Sequence, residues 1–163
     1  MIYKDNEYKF VAVLNRKVPL PQLMNALGHM TAGLTSQCNY QDLAFLRYQD
    51  GDGSVHPNIS RYPFIILSAK NGNQIRTLRY AALQQGIHFT DFVDTMLGSS
   101  AEDQLQRTRS TKEVNLDYFG VCLFGNAAKL DELTRKFSLF TVKAEEPPQP
   151  QQFSLHDPLA FGV

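Results

Sequence analysis

The chain has 163 residues and a mass of 18.4 kDa, with 43% hydrophobic and 11% aromatic residues, enough for one packed core and too apolar for a disordered chain. Sixteen Lys and Arg balance sixteen Asp and Glu, so the formal charge is zero. That balance argues against a dedicated nucleic-acid binder or an anionic-membrane binder, both of which carry a basic excess.

In chain order, Lys9 to Asn15 is a short apolar run with the length of a buried strand. Pro19 and Pro21 follow; proline opens a helix but cannot sit inside one. From Pro21 to about Gln37, Leu20, Leu23, Met24, Leu27, Thr31 and Leu34 recur at helical spacing, which predicts an inner face. The opposite face would carry Gln22, Ala26, His29 and Gly33. Asp42 to Tyr48 reads as a short helix or strand, and Asp50-Gly51-Asp52-Gly53-Ser54 as a turn prolonged by His56-Pro57. The acidic spacing there resembles a calcium loop but lacks its later ligands and terminal Glu.

Phe64 to Ala69 predicts a second strand. Asn71 caps a helix running to about Gln85, with Ile75, Leu78 and Ala82 inward and Gly86 ending it. Ile87 to Met96 is a third strand leading into a turn. Residues 98–116 are polar and hold a helix or a loop, with Arg107, Arg109 and Lys112 close together. Tyr118 to Gly125 is a continuously apolar fourth strand, and a last helix runs from Ala127 to about Phe137 with Leu130, Leu133 and Phe137 inward. The order β-α-β-α-β-β-α predicts a small mixed α/β fold, a four-stranded sheet with helices packed on it. The domain is expected over residues 1–143, followed by a Pro-rich tail over 144–163 whose apolar end, Phe153 to Val163, suits docking on its own domain or a neighbour.

No apolar segment approaches the roughly 20 residues of a membrane span, and the polar start lacks a signal-peptide core. Cys38 and Cys122 form no metal or redox spacing, the usage of a reducing compartment. A cytoplasmic protein is expected, with no metal and no cofactor. The first 80 residues carry a net +4 and the rest a net −4, which either scatters over solvated faces or helps to align two subunits.

The chain lacks GxSxG, GxGxxG, P-loop and HExxH motifs. His29 is the residue best suited to chemistry. It lies mid-helix with Asn25 one turn before it, and an imidazole there can act as acid, base or hydrogen-bond donor. A histidine hydrogen-bonded within a helix–sheet or subunit contact is the competing reading. Asp91 and Asp94 close the third strand, where α/β sheets place sites and also caps. Lys70, Arg76 and Arg79 straddle a helix start and could meet an anion.

Phe10-Val11-Ala12-Val13-Leu14-Asn15, with Leu23-Met24-Asn25-Ala26-Leu27-Gly28-His29-Met30-Thr31-Ala32-Gly33, resembles the opening of the archaeal and eukaryotic class of peptidyl-tRNA hydrolases. Gly120-Val121-Cys122-Leu123-Phe124-Gly125, with Leu133-Thr134-Arg135-Lys136-Phe137-Ser138-Leu139, resembles the family called domain of unknown function 2000, of the same fold superfamily. The resemblance implies a mixed four-stranded sheet, often in a homodimer. It also implies a departure: Gln22 stands where the hydrolases carry a lysine and Ala26 where they carry a glutamine, while Asp94 matches their aspartate. The expectation is therefore a protein that binds a small ligand or partner through Gln22, Asn25, His29 and Asp94. The alternative is a divergent peptidyl-tRNA or acyl-ester hydrolase with His29 as acid/base and Asp94 as its partner.

Overall fold

The structure is a computed structural model and describes residues 7–142; the tail expected over 144–163 lies outside the described residues. The organising element is β1 (Tyr8–Asn15), in which Val11, Ala12 and Val13 have no exposed surface. A strand apolar on both faces must be covered on both. It pairs in parallel with β4 (Phe64–Ala69) and antiparallel with β6 (Tyr118–Asn126). β5 (His88–Val93) pairs antiparallel with β6, and β7 (Ser138–Leu139) with β4.

The mixed sheet therefore has the order β5-β6-β1-β4-β7. It holds five strands where four were expected, because the chain leaving the last helix adds the two residues of β7 at one edge. A separate hairpin joins β2 (Phe45–Gln49), in the stretch Asp42–Tyr48 expected as a short helix or strand, to β3 (Val55–Ser60), in the stretch expected as a turn prolonged by His56-Pro57. Its tip is held by Asp50, whose Oδ1 accepts from the N–H groups of Asp52 and Ser54. That carboxylate thus serves the turn rather than a calcium loop.

Helix α1 (Leu20–Thr35) covers one face of the sheet; α2 (Gly72–Gln84) and α4 (Ala127–Thr134) cover the other. The caps follow the sequence. The Asn71 side chain accepts from Gln74 N–H at 3.1 Å, Ile75, Leu78 and Ala82 are buried, and Gly86 has φ +63° just past the helix. Residues 98–116 form α3 (Ala101–Ser110), capped by Ser100, and a tight turn at Glu113–Asn115.

The inner face of α1 differs from the expectation. Leu23, Ala26, Met30 and Leu34 are buried, whereas Met24 is 65% exposed. The helix offers two overlapping apolar stripes, and the sheet selects between them. At Gly120 an added Cβ would lie 2.8 Å from Met30 Cε and 2.8 Å from Leu14 Cδ2. The missing side chain is therefore the hole into which Met30 inserts, and this turns Ala26 inward and Met24 out.

Gly120→Ala is expected to destabilise the protein by roughly 1–3 kcal/mol through overpacking. Met30→Ala added to it should relieve part of that cost, a non-additivity readable in urea unfolding of the two single variants and the double variant.

Candidate functional site

β5 is an edge strand, and its main-chain polarity can be followed through the ladder. The Phe10 N–H donates to the Pro63 C=O on the β4 side, so Val11 and Val13 turn their peptide groups towards β6. Their partners Leu123 and Val121 therefore face β1, leaving Cys122 to pair with Thr90. Phe89 and Asp91 must consequently turn their N–H and C=O groups away from the sheet. The Phe89 C=O is taken by Gln37 Nε2 at 2.9 Å. The Asp91 main chain opens into a cleft.

That cleft encloses about 550 Å³ between α1, the β5 edge, the turn after it and α3. Its floor is apolar, from Met30, Phe92, Met96 and Leu97; its polar wall comes from Asn25, His29, Thr90 and Gln104. Thr90 Oγ1 donates to the Met30 C=O at 2.7 Å and fixes α1 against the strand. Among the described residues no Lys or Arg lines the cleft, and the nearby Arg107 donates to the Leu97 C=O.

His29 and Asn25, one helical turn apart, are both exposed at the mouth. The His29 imidazole packs on Phe92, with ring centroids 6.0 Å apart. Among the described residues neither of its ring nitrogens has a hydrogen-bond or ion-pair partner. A histidine satisfied inside a helix–sheet contact does not describe this environment. Gln22 is exposed on the first turn of α1 and is not among the lining residues. Asp94 does not line the cleft either. Its N–H donates to the Asp117 C=O at 3.0 Å and its Oδ1 accepts from the Asp117 N–H at 3.0 Å, so it clasps the end of β5 to the start of β6.

The structure thus brings together Asn25 and His29 and adds Thr90, Gln104 and the Asp91 main chain. The alternation of β5 is enough to find Thr90. Nothing in the sequence places Gln104, because α3 reaches the cleft only through tertiary packing.

Of the three basic residues at the start of α2, the two arginines are engaged elsewhere. Arg79 pairs with Asp91 Oδ2, and Arg76 pairs with Glu113 Oε1 at 2.9 Å while donating to the C=O of Leu116. Burial opposes ionisation of Glu113, but hydrogen bonds from Tyr118 and Arg76 hold its carboxyl below the usual range. Burial first, and then donation to Glu113, push the Tyr118 hydroxyl up to about 12. This network fastens the Glu113–Asn115 turn to α2 and leaves neither arginine free for an anion. Among the described residues no group of His, Cys, Asp and Glu is placed to hold a metal ion, and no helix is long and apolar enough to cross a membrane.

A protein family described as "Protein of unknown function (DUF2000)" matches residues 8–141, the family that the closing segment resembles. No curated protein matches the chain. A solved structure of a protein of unknown function from Agrobacterium tumefaciens shares the fold, with a TM-score of 0.72 at 17% identity over 83% of this chain and 99% of that one.

Two substitutions separate clasp from cleft. Asp94→Ala should cost about 1–2 kcal/mol, because it removes a carboxylate acceptor from a main-chain N–H. His29→Ala should stay within about 0.5 kcal/mol of the parent, as befits an exposed side chain without partners. Chemical denaturation of both variants reads the difference.

Proposed function

We propose a binding role for this chain, which belongs to the DUF2000 family: the cleft between α1 and the β5 edge holds a small polar ligand or a short segment of a partner. The observation that carries this reading is an imidazole with both nitrogens unpartnered at the mouth of a cleft with an apolar floor. Sites for small ligands have this construction, an apolar surface with a few placed polar groups. His29 and Asn25 would orient the ligand, the Asp91 N–H and C=O would bond it as a strand edge does, and Phe92 and Met30 would exclude water beneath it. Gln22 and Asp94 flank this core, Asp94 acting through the clasp on Asp117.

The alternative within this reading is a divergent peptidyl-tRNA or acyl-ester hydrolase with His29 as acid/base and Asp94 as its partner. Kinship with the peptidyl-tRNA hydrolase-like fold would favour it, and the free imidazole could take a proton from water. Two observations favour binding instead. Among the described residues no Lys or Arg lines the cleft, the nearby Arg107 being held by the Leu97 C=O and Asp103, and the Asp94 carboxylate is engaged with the Asp117 N–H. The reading includes a reducing, cytoplasmic setting, consistent with the free thiols of Cys38 and Cys122.

It also includes a homodimer. Among the described residues the β2–β3 strands pair with each other in a sheet of their own, and the hairpin exposes Leu46, Tyr48, Val55 and Ile59; a two-stranded ribbon is marginal in water unless something packs on it.

Two measurements test this. Incubated with peptidyl-tRNA, the protein should show no turnover that His29→Ala abolishes; such turnover would establish the hydrolase. In a fragment screen read by amide NMR shifts, hits carrying a carboxamide or carboxylate should perturb Asn25, His29, Thr90 and Gln104 and lose affinity in His29→Ala. Sedimentation should give a dimer for the parent and a shift towards monomer for Ile59→Asp; a monomeric parent would remove the dimer from the reading.

A further inference from the structure

A second cavity, of about 460 Å³, opens at the other end of the α1–β5 seam, beyond the bond from Gln37 to the Phe89 C=O. Its volume falls within the range of about 300–1,000 Å³ usual for small-molecule sites. One wall is aromatic. Tyr8, Tyr62 and Phe124 stand around one another with ring centroids 5.9 Å (Tyr8–Tyr62), 6.0 Å (Tyr8–Phe124) and 5.8 Å (Tyr62–Phe124) apart. The rim carries Asp42, with Cys38 and His88 nearby.

Among the described lining residues the one carboxylate is that of Asp42. Among the described residues no Lys or Arg lines the cavity and no cation pairs with the Asp42 carboxylate. Its partner is a neutral amide: Asn39 Nδ2 donates to Asp42 Oδ2 at 3.0 Å. Burial and then the charge of Asp42 push the Cys38 thiol up, so the lining thiol stays neutral. Aromatic faces carry negative charge density and attract cations. The wall already does this on one side, where the Arg61 guanidinium lies 5.6 Å from the Tyr62 ring centre. One carboxylate is too few for a metal ion that takes six to eight oxygens. An aromatic wall and a single carboxylate instead suit a large, weakly hydrated organic cation.

We propose that the cavity walled by Tyr8, Tyr62 and Phe124 and rimmed by Asp42 binds a compact organic cation of the alkylated ammonium class. The cation rests on the aromatic wall, and Asp42 neutralises it at the rim. The site is separate from the cleft at His29, and its occupancy does not depend on what that cleft binds.

Choline and its neutral carbon isostere, in which a tert-butyl group replaces trimethylammonium, are titrated into the full chain and followed by amide NMR shifts. Choline should bind saturably, with shifts at Tyr8, Cys38 and His88. The isostere should bind at least about fivefold more weakly, the scale of a cation–π contact with a charge partner. Asp42→Asn, an isosteric change at an exposed position, should weaken choline several-fold and leave the isostere unchanged, and Tyr8→Leu should weaken choline in the same way. His29→Ala should change neither. The proposal is overturned if the isostere binds as well as choline, if choline shifts none of these residues, or if Asp42→Asn leaves its affinity intact.

Discussion

The burial of β1 on both faces is the constraint from which the rest of the structure follows. A strand that is apolar at Phe10, Val11, Ala12, Val13 and Leu14 in succession needs neighbours on both sides and a helical layer above and below. The parallel partner β4 requires a crossover, which α1 supplies on one face; the path from β4 to β5 places α2 on the other. Asn15, at the end of β1, shows how tightly the centre is closed. It is buried, and its amide is spent on the Tyr118 C=O and the Lys17 N–H.

Once β1 and β6 fill the middle, β5 is left at an edge, and the two cavities open along that edge. A strand edge with open peptide groups is a liability unless it is covered. Here the cover is partial: Gln37 takes the Phe89 C=O, α1 lies along the strand, and α3 approaches from beyond the turn. Two cavities remain on either side of Gln37, one lined by His29 and Asn25, the other walled by aromatic rings. They share a seam but differ in chemistry: the first offers a free imidazole and peptide groups, the second aromatic faces and one carboxylate.

Much of this was legible in the sequence where local chemistry governs. Asn71 reads as a cap because its side chain can satisfy an orphan N–H, and Gly86 as a stop because it tolerates a positive φ. β7 was not legible, since two residues carry no period. The hairpin was legible only in part: Asp42 to Tyr48 reads as a short helix or strand, while Pro57 and a run of turn residues mask β3. The choice of inner face on α1 was misread because both stripes are apolar. Gly120, ninety residues away from Met30 in the chain, decides between them by leaving a hole. Of the expected site, Asn25 and His29 meet in the cleft because helical spacing fixes their side, whereas Asp94 was legible only as a carboxylate at a strand end.

The sequence by itself determined the order of β1, α1, β4, α2, β5, β6 and α4, the burial of β1, the cap at Asn71 and the stop at Gly86, and the prominence of His29, since each depends on residues within a turn or two of one another. The tertiary structure alone decided which stripe of α1 faces inward, that Asp94 clasps Asp117, that α3 brings Gln104 to His29, and that Tyr8, Tyr62 and Phe124 form one wall. Those outcomes join residues far apart in the chain, and spacing along a chain carries no information about contacts that only packing creates.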